Sequence, residues 1–231
     1  MAKKVVVDFG HYKCDSGAVY NWNGKQIREV DLVIDMGNAM VEGLKRHGFE
    51  VLVTYGSLAN RVSMANNFKA DLFISIHTNA GGGDGCEVYW TGSNKNTEKL
   101  AKLCLENILE DKLNNSRGVK KSAFYVLKYT NMPACLVETG FGDNVEDRKA
   151  IDTLKEREAF GEALTEAVCE YYNIKYKVES KPVEQPTANS KIFRVKDNGK
   201  QIGAYSREES VISEVTKLIK AKKSKIEITY S

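Results

Sequence analysis

The sequence predicts an α/β fold, a sheet flanked by helices on both faces, followed by a small α+β module. Three observations lead there. Helical and strand-like patterns alternate through the first 175 residues. Several of the strand patterns are almost wholly apolar, as strands covered on both faces are. A stretch of linker composition, "YKVESKPVEQPTANS" (176–190), holds two of the three prolines and precedes a basic tail. The predicted division is therefore 1–175, a linker over 176–190, and a module over 191–231.

The elements follow in order. "KKVVVDF" (3–9) opens as a strand. "YNWNGKQIR" (20–28) reads as a loop. "REVDLVIDMGNAMVEGLKRHG" (28–48) repeats apolar residues at Val30, Val33, Gly37, Met40, Val41 and Leu44, the spacing of one helix face. Gly48 suits the position just past its end. "FEVLVTY" (49–55) is a strand and "RVSMANNFKA" (61–70) a short helix. "DLFISIHTNA" (71–80) begins as the most apolar strand of the chain, then meets a histidine. "GCEVYWTG" (85–92) alternates as a strand, and "TEKLAKLCLENILED" (97–111) is an amphipathic helix. "SAFYVLKY" (122–129) and "PACLVETG" (133–140) read as strands, and 148–174 as one helical segment. In the tail, 191–206 reads as a hairpin turning at Asp197-Asn198-Gly199. A helix over 207–223 and a last strand over 225–231 complete it. A module of about forty residues is near the lower size limit, so it needs a partner surface or a second copy of itself.

Composition removes several classes of function. No apolar run approaches the ~20 residues of a membrane helix. The opening "MAKKVVVDFGHYKCD" meets Asp8 early, so no export signal is read there and synthesis in the cytoplasm is expected. Five scattered cysteines without a CxxC pair argue against a disulfide framework. The net charge is +3, with ten basic and five acidic residues over 191–231 and hence −2 before them. That surplus is too small to indicate nucleic-acid binding.

Three histidines remain to be placed. His47 lies in the last turn of a helix and reads as a partner for free carbonyls there. His11 and His77 both follow apolar strands, at the sheet edge where α/β folds bind ligands. Imidazole is a common zinc ligand, and a catalytic zinc takes three protein ligands. Glu29, opening the long helix, is a candidate third ligand, although a first-turn carboxylate is also favourable dipole chemistry. Glu138 ends another apolar strand. A carboxylate in that setting can have a raised pKa and serve as general base or acid. Cys14, three residues after His11, is a weaker ligand candidate for lack of a second cysteine nearby. "GGGDG" (81–85) lacks the Lys-Ser/Thr and the following helix of a phosphate loop, and reads as a flexible loop beside the site.

Four separated motifs share order and spacing with one family. They are "VVVDFGHYKCDSGA" with Glu29 after it, "RVSMANNFKADLFISIHTNA", "GCEVYW" and "RGVKKSAFYVLKYTNMPACLVETGFGDN". Over roughly residues 3–173 the chain resembles the zinc-dependent N-acetylmuramoyl-L-alanine amidases of the Amidase_3 family. The resemblance implies a twisted mixed sheet flanked by helices, zinc on His11, Glu29 and His77, and Glu138 as the catalytic carboxylate. It implies peptidoglycan as substrate, cut between N-acetylmuramic acid and the first L-alanine. Tyr12-Lys13-Cys14 departs from the family's usual Gly-Gly after the first histidine. The tail weakly resembles half of a SPOR repeat, a wall-binding module. The cellular role expected is a phage endolysin, released to the wall through a holin, with a sporulation autolysin freed by cell lysis as the alternative. A different zinc hydrolase of peptidoglycan, a peptidase or a deacetylase, is the alternative chemistry.

Overall fold

The computed structural model describes residues 2–11, 15–92, 95–111 and 115–178, and in the tail the strands at 193–197, 200–205 and 226–230. The chain divides into two compact units, Met1–Val178 and Glu179–Ser231.

The first unit is built on six strands. In chain order these are β1 (Lys4–Phe9), β4 (Glu50–Thr54), β5 (Leu72–Asn79), β6 (Cys86–Trp90), β7 (Ser116–Lys121) and β8 (Ala134–Phe141). Across the sheet they run β4-β1-β5-β8-β6-β7. The first four are parallel, and β6 pairs antiparallel with β8, so the sheet is mixed. Strand alternation sends side chains to two faces. One face packs on α1 (Glu29–Arg46), α3 (Lys95–Asp111) and α6 (Leu154–Tyr171) through Val5, Val7, Ile74, Ile76 and Val137. The other packs on α2 (Leu58–Phe68) and α4 (Tyr125–Lys128) through Val6, Phe73 and Leu136. Leu72 to Ile76 are fully buried in β5. Each large apolar side chain there contributes roughly 1.5–3 kcal/mol, which fixes the strand between the two helix layers. The six apolar positions read from α1's periodicity are all buried, and Gly48 beyond it takes φ 81°.

Four local expectations are corrected, and one strand appears that the sequence did not announce. The segment read as a loop forms a hairpin, β2 (Val19–Trp22) with β3 (Lys25–Arg28). Its turn is Asn23-Gly24, both at positive φ (52° and 80°), as a tight hairpin with right-handed twist requires. "SAFYVLKY" is not a strand. Its consecutive residues Val126 and Leu127 are both buried, which no strand facing one layer allows, and they sit on the short helix α4. "SRGVKK" forms β7, an edge strand whose charged residues hid it from a hydrophobic pattern. The helical segment 148–174 is interrupted. A short α5 (Val145–Lys149) ends before Thr153, which caps α6 reciprocally with Glu156. Finally, β5 and β8 do not stop at His77 and Glu138 but continue to Asn79 and Phe141, with a register shift between His77 and Asn79.

In the second unit, β9 (Phe193–Asp197), β10 (Lys200–Tyr205) and β11 (Ile226–Tyr230) form an antiparallel sheet in the order β10-β9-β11. The expected hairpin and last strand are present. The turn residues 198–199, the expected helix over 207–223, the linker from 179 onward, and Tyr12-Lys13-Cys14 lie outside the described residues.

Candidate metal centre

Five chain segments bring their polar residues to one end of the sheet. His11 follows β1 in the left-handed backbone region, at φ 63°. His77 stands in β5 in register with Glu138 on β8, and Glu138 in register with Glu87 on β6. Directly paired residues share a face, so His77, Glu138 and Glu87 form a row on the side covered by α2 and α4. Glu29 reaches the row as the first residue of α1, whose opening amides donate to the Ala18 and Ser16 carbonyls (2.9 and 3.1 Å).

Glu29 is the hub. One carboxylate oxygen lies 3.1 Å from His11 Nε2 and accepts from the Ala18 amide at 2.9 Å. The other lies 3.0 Å from His77 Nδ1 and accepts from the Thr78 amide at 3.1 Å. One donor atom from each of His11, Glu29 and His77 lies within 4.8 Å of the others. Burial would raise the Glu29 pKa, but the hydrogen bonds from both histidines outweigh it and hold the carboxyl down at about 2. The same bond to Glu29 holds the His11 imidazole up at about 9, against the opposing effect of burial. Asp15 adds to this, with its carboxylate 2.9 Å from His11 Nδ1.

This donor set fits a metal ion. Two imidazoles and a carboxylate converging on one point are the ligand types of catalytic zinc sites, which leave a fourth position open. Glycines leave room for the convergence. A Cβ on Gly10 would sit 2.6 Å from the His77 ring, and one on Gly17 (φ +64°) 2.5 Å from Glu29 and 2.6 Å from His11.

Glu138 differs from Glu29. Its Oε2 is buried without a hydrogen-bond partner, and burial raises its pKa to about 7, with the charges of Glu29 and Glu87 adding to the shift and His77 opposing it. An orphaned buried carboxylate oxygen is costly to keep, unless it holds or exchanges a proton. All four residues line one open cavity of about 560 Å³, whose lining also includes the exposed apolar side chains Leu58, Phe124 and Tyr125.

The sequence reading had singled out His11, Glu29, His77 and Glu138, and the fold assembles them. Other readings resolve differently. His47 does meet a helix-end carbonyl, with Nδ1 2.8 Å from Gly43 O, and its Nε2 also accepts from the Lys177 amide at 2.9 Å. The glycine loop is pinned rather than loose. Asp143 accepts from the Gly81 and Gly82 amides (2.7 and 2.9 Å), and Asp147 from Gly85 at 2.7 Å. Cys86, Cys104, Cys135 and Cys169 are free and buried; Cys14 lies outside the described residues. Missed altogether were Asp8, Arg61 and Glu87. Glu87 is a buried carboxylate holding Arg117, Lys120, Tyr89 and Asn79. The signal for Asp8 was available: a carboxylate inside "VVVDF" must be paired.

Residues 5–170 match the Amidase_3 family, described as N-acetylmuramoyl-L-alanine amidase. The chain belongs to the Amidase_3 family. By that membership it is a cell-wall amidase, a hydrolase of the amide between N-acetylmuramic acid and L-alanine in peptidoglycan. Among curated relatives, the endolysin of Bacillus phage SPP1 is 31% identical over 217 residues, covering 86% of this chain and 78% of that one. The sporulation-specific N-acetylmuramoyl-L-alanine amidase of Bacillus subtilis (strain 168) is 29% identical over 208 residues, 87% of this chain and 75% of that one. LytC of the same strain is a longer protein, of which this amidase covers 36% at 31% identity. Among solved structures, the amidase AmiC2 of Nostoc punctiforme superposes with a TM-score of 0.67 at 31% identity, over 74% of this chain and 97% of that one.

Proposed function

We propose that this amidase is zinc-dependent, with the metal on His11, Glu29 and His77 and with Glu138 as the proton carrier, and that it serves as a phage endolysin. The observation that carries the chemistry is the pairing of a convergent His-Glu-His set with an orphaned buried carboxylate oxygen in one cavity.

Zinc bound there would polarise the scissile carbonyl and acidify water. The remaining work falls to the chain. Glu138 Oε2 takes the proton of the attacking water and passes it to the leaving L-alanine nitrogen. Water attacks directly, so no acyl-enzyme forms and no side-chain nucleophile is required. Glu29 and the row on β5 and β8 hold their positions through backbone amides and sheet register, so little reorganisation accompanies the reaction. Leu58, Phe124 and Tyr125, exposed in the cavity lining, offer apolar surface for substrate contact.

The test is mass spectrometry of digested peptidoglycan, with and without chelator. New N-terminal L-alanine with an intact lactyl carboxylate is expected, lost on metal removal and restored by stoichiometric zinc. Free amino sugars would indicate a deacetylase, new termini inside the stem a peptidase, and full activity without metal would remove the zinc assignment.

The endolysin reading rests on the similarity to the SPP1 endolysin along most of the chain. The similarity to the sporulation-specific enzyme, of equal extent, favours a sporulation autolysin as the second reading. A neighbouring holin gene supports the first, and expression confined to sporulation the second. The tail is proposed as the wall-binding module, in keeping with its basic charge, its three-stranded sheet and its weak SPOR likeness. Ending the chain at Val178 is expected to spare hydrolysis of soluble fragments and to abolish co-sedimentation with walls. Undiminished sedimentation would show that the tail is not the anchor.

A further inference from the structure

The left-handed backbone of His11 is unusual for a residue with a Cβ, and the strain has to be held by its surroundings. What holds it comes from α2. Arg61 is almost wholly buried, at 4% exposure, and spends its guanidinium on the turn that carries His11. Nη2 donates to the His11 carbonyl at 2.7 Å, Nη1 to the Phe9 carbonyl and to Asp8 Oδ1 (the latter at 2.7 Å), and Nε to the Gly56 carbonyl at 2.9 Å. Asp8, 1% exposed, is in turn fixed by Thr54 Oγ1 and Ser75 Oγ, each at 2.7 Å.

We propose that Arg61, anchored by Asp8, is a positioning residue that sets the backbone of His11 and so the affinity of the amidase for its metal. The planar guanidinium is suited to this. Its donors leave in fixed directions, so it can clamp carbonyls two residues apart while paired with a carboxylate. Lysine has the charge but not the fork. The proposal rests on His11 being a metal ligand, and the measurement is chosen to separate the two claims.

The full chain is freed of metal and its zinc affinity measured by competition with a chromophoric chelator, alongside the zinc dissociation rate. Arg61→Lys is expected to weaken zinc binding about 10–100-fold, the range for residues that orient a ligand from behind, with faster dissociation. Asp8→Asn, which keeps the shape but removes the charge, is expected to fall between that variant and the wild type. It also serves if Arg61→Lys does not fold. Thr153→Ala removes the side-chain capping hydrogen bond of α6, outside the network that holds the His11 turn. It is expected to lower the melting temperature while leaving zinc affinity unchanged. Wild-type zinc affinity in both Arg61→Lys and Asp8→Asn would overturn the proposal. So would a loss in Thr153→Ala as large as theirs, since the effect would then be one of general stability. If the wild type itself does not bind zinc, the ligand assignment fails and this inference with it.

Discussion

Replacing Glu138 with glutamine is expected to slow wall hydrolysis about 10²–10⁴-fold, the usual contribution of a positioned acid–base group, while zinc content stays at the wild-type level. The side chain keeps its volume, and the metal site is built from other residues, so metal retention is the internal control. Turnover of purified walls and metal analysis of the same sample check both halves. A variant that digests walls at the wild-type rate would remove Glu138 from the mechanism. The pH dependence has a definite sign. A base must be ionised, so hydrolysis falls as pH drops through the Glu138 pKa, which burial puts at about 7 in the metal-free protein and which a neighbouring cation draws lower. For stability the direction reverses. The folded metal-free protein holds this proton more tightly than the unfolded chain, whose carboxyl titrates near 4.5. Its contribution is therefore complete below 4.5 and lost as pH rises through about 7. Glutamine imitates the protonated acid, so metal-free Glu138→Gln is expected to melt above the wild type at pH 8 and level with it at pH 4.

The second large effect is expected from Glu29→Gln. The carboxylate faces two imidazoles and two backbone amides at once. An amide has one accepting oxygen, so whichever way it turns, its NH₂ group meets either the Ala18 or the Thr78 N–H. The outcome is loss of stoichiometric zinc together with a stability cost of about 1–3 kcal/mol, the penalty of an unsatisfied buried donor. Metal analysis after gel filtration and thermal melts of the metal-free proteins separate the two. Wild-type zinc affinity in this variant would rule Glu29 out as a ligand.

Both variants are at residues that were legible in the sequence, for a physical reason. An apolar strand that carries a histidine or a glutamate has few structural excuses for it, because a lone buried charge is expensive. His77 and Glu138 stood out against "DLFISI" and "PACLV" in that way; Glu29 was one candidate third ligand by its place at the start of a helix, and the family resemblance strengthened it. The mixed sheet was legible from the same apolar strands. What escaped notice was polar structure that is satisfied internally. Arg61 opens a polar stretch and looks like a solvated helix residue until Asp8, 53 positions away, is seen against it. Glu87 occurs in an alternating strand and its burial depends on Arg117 and Lys120 from β7, a strand with too few apolar residues to announce itself. The β2–β3 hairpin did carry a signal, Asn23-Gly24. Its anchoring does not, because it is tertiary: Tyr20 donates to the Thr78 carbonyl at 3.0 Å and Trp22 to that of Gly142 at 2.7 Å.

The order of strands has a consequence for how the enzyme comes into being. β1, β5 and β8 are neighbours in the sheet but far apart along the chain, and parallel neighbours can be joined only by long crossovers. Folding is therefore governed by distant pairings, which form late and slowly. No fragment ending before β8 contains Glu138, and no local hairpin brings His11 beside His77. The centre thus has no partial version: a chain that stops short of β8 carries none of the hydrolytic activity, and the wall meets an active enzyme only once the whole sheet has closed.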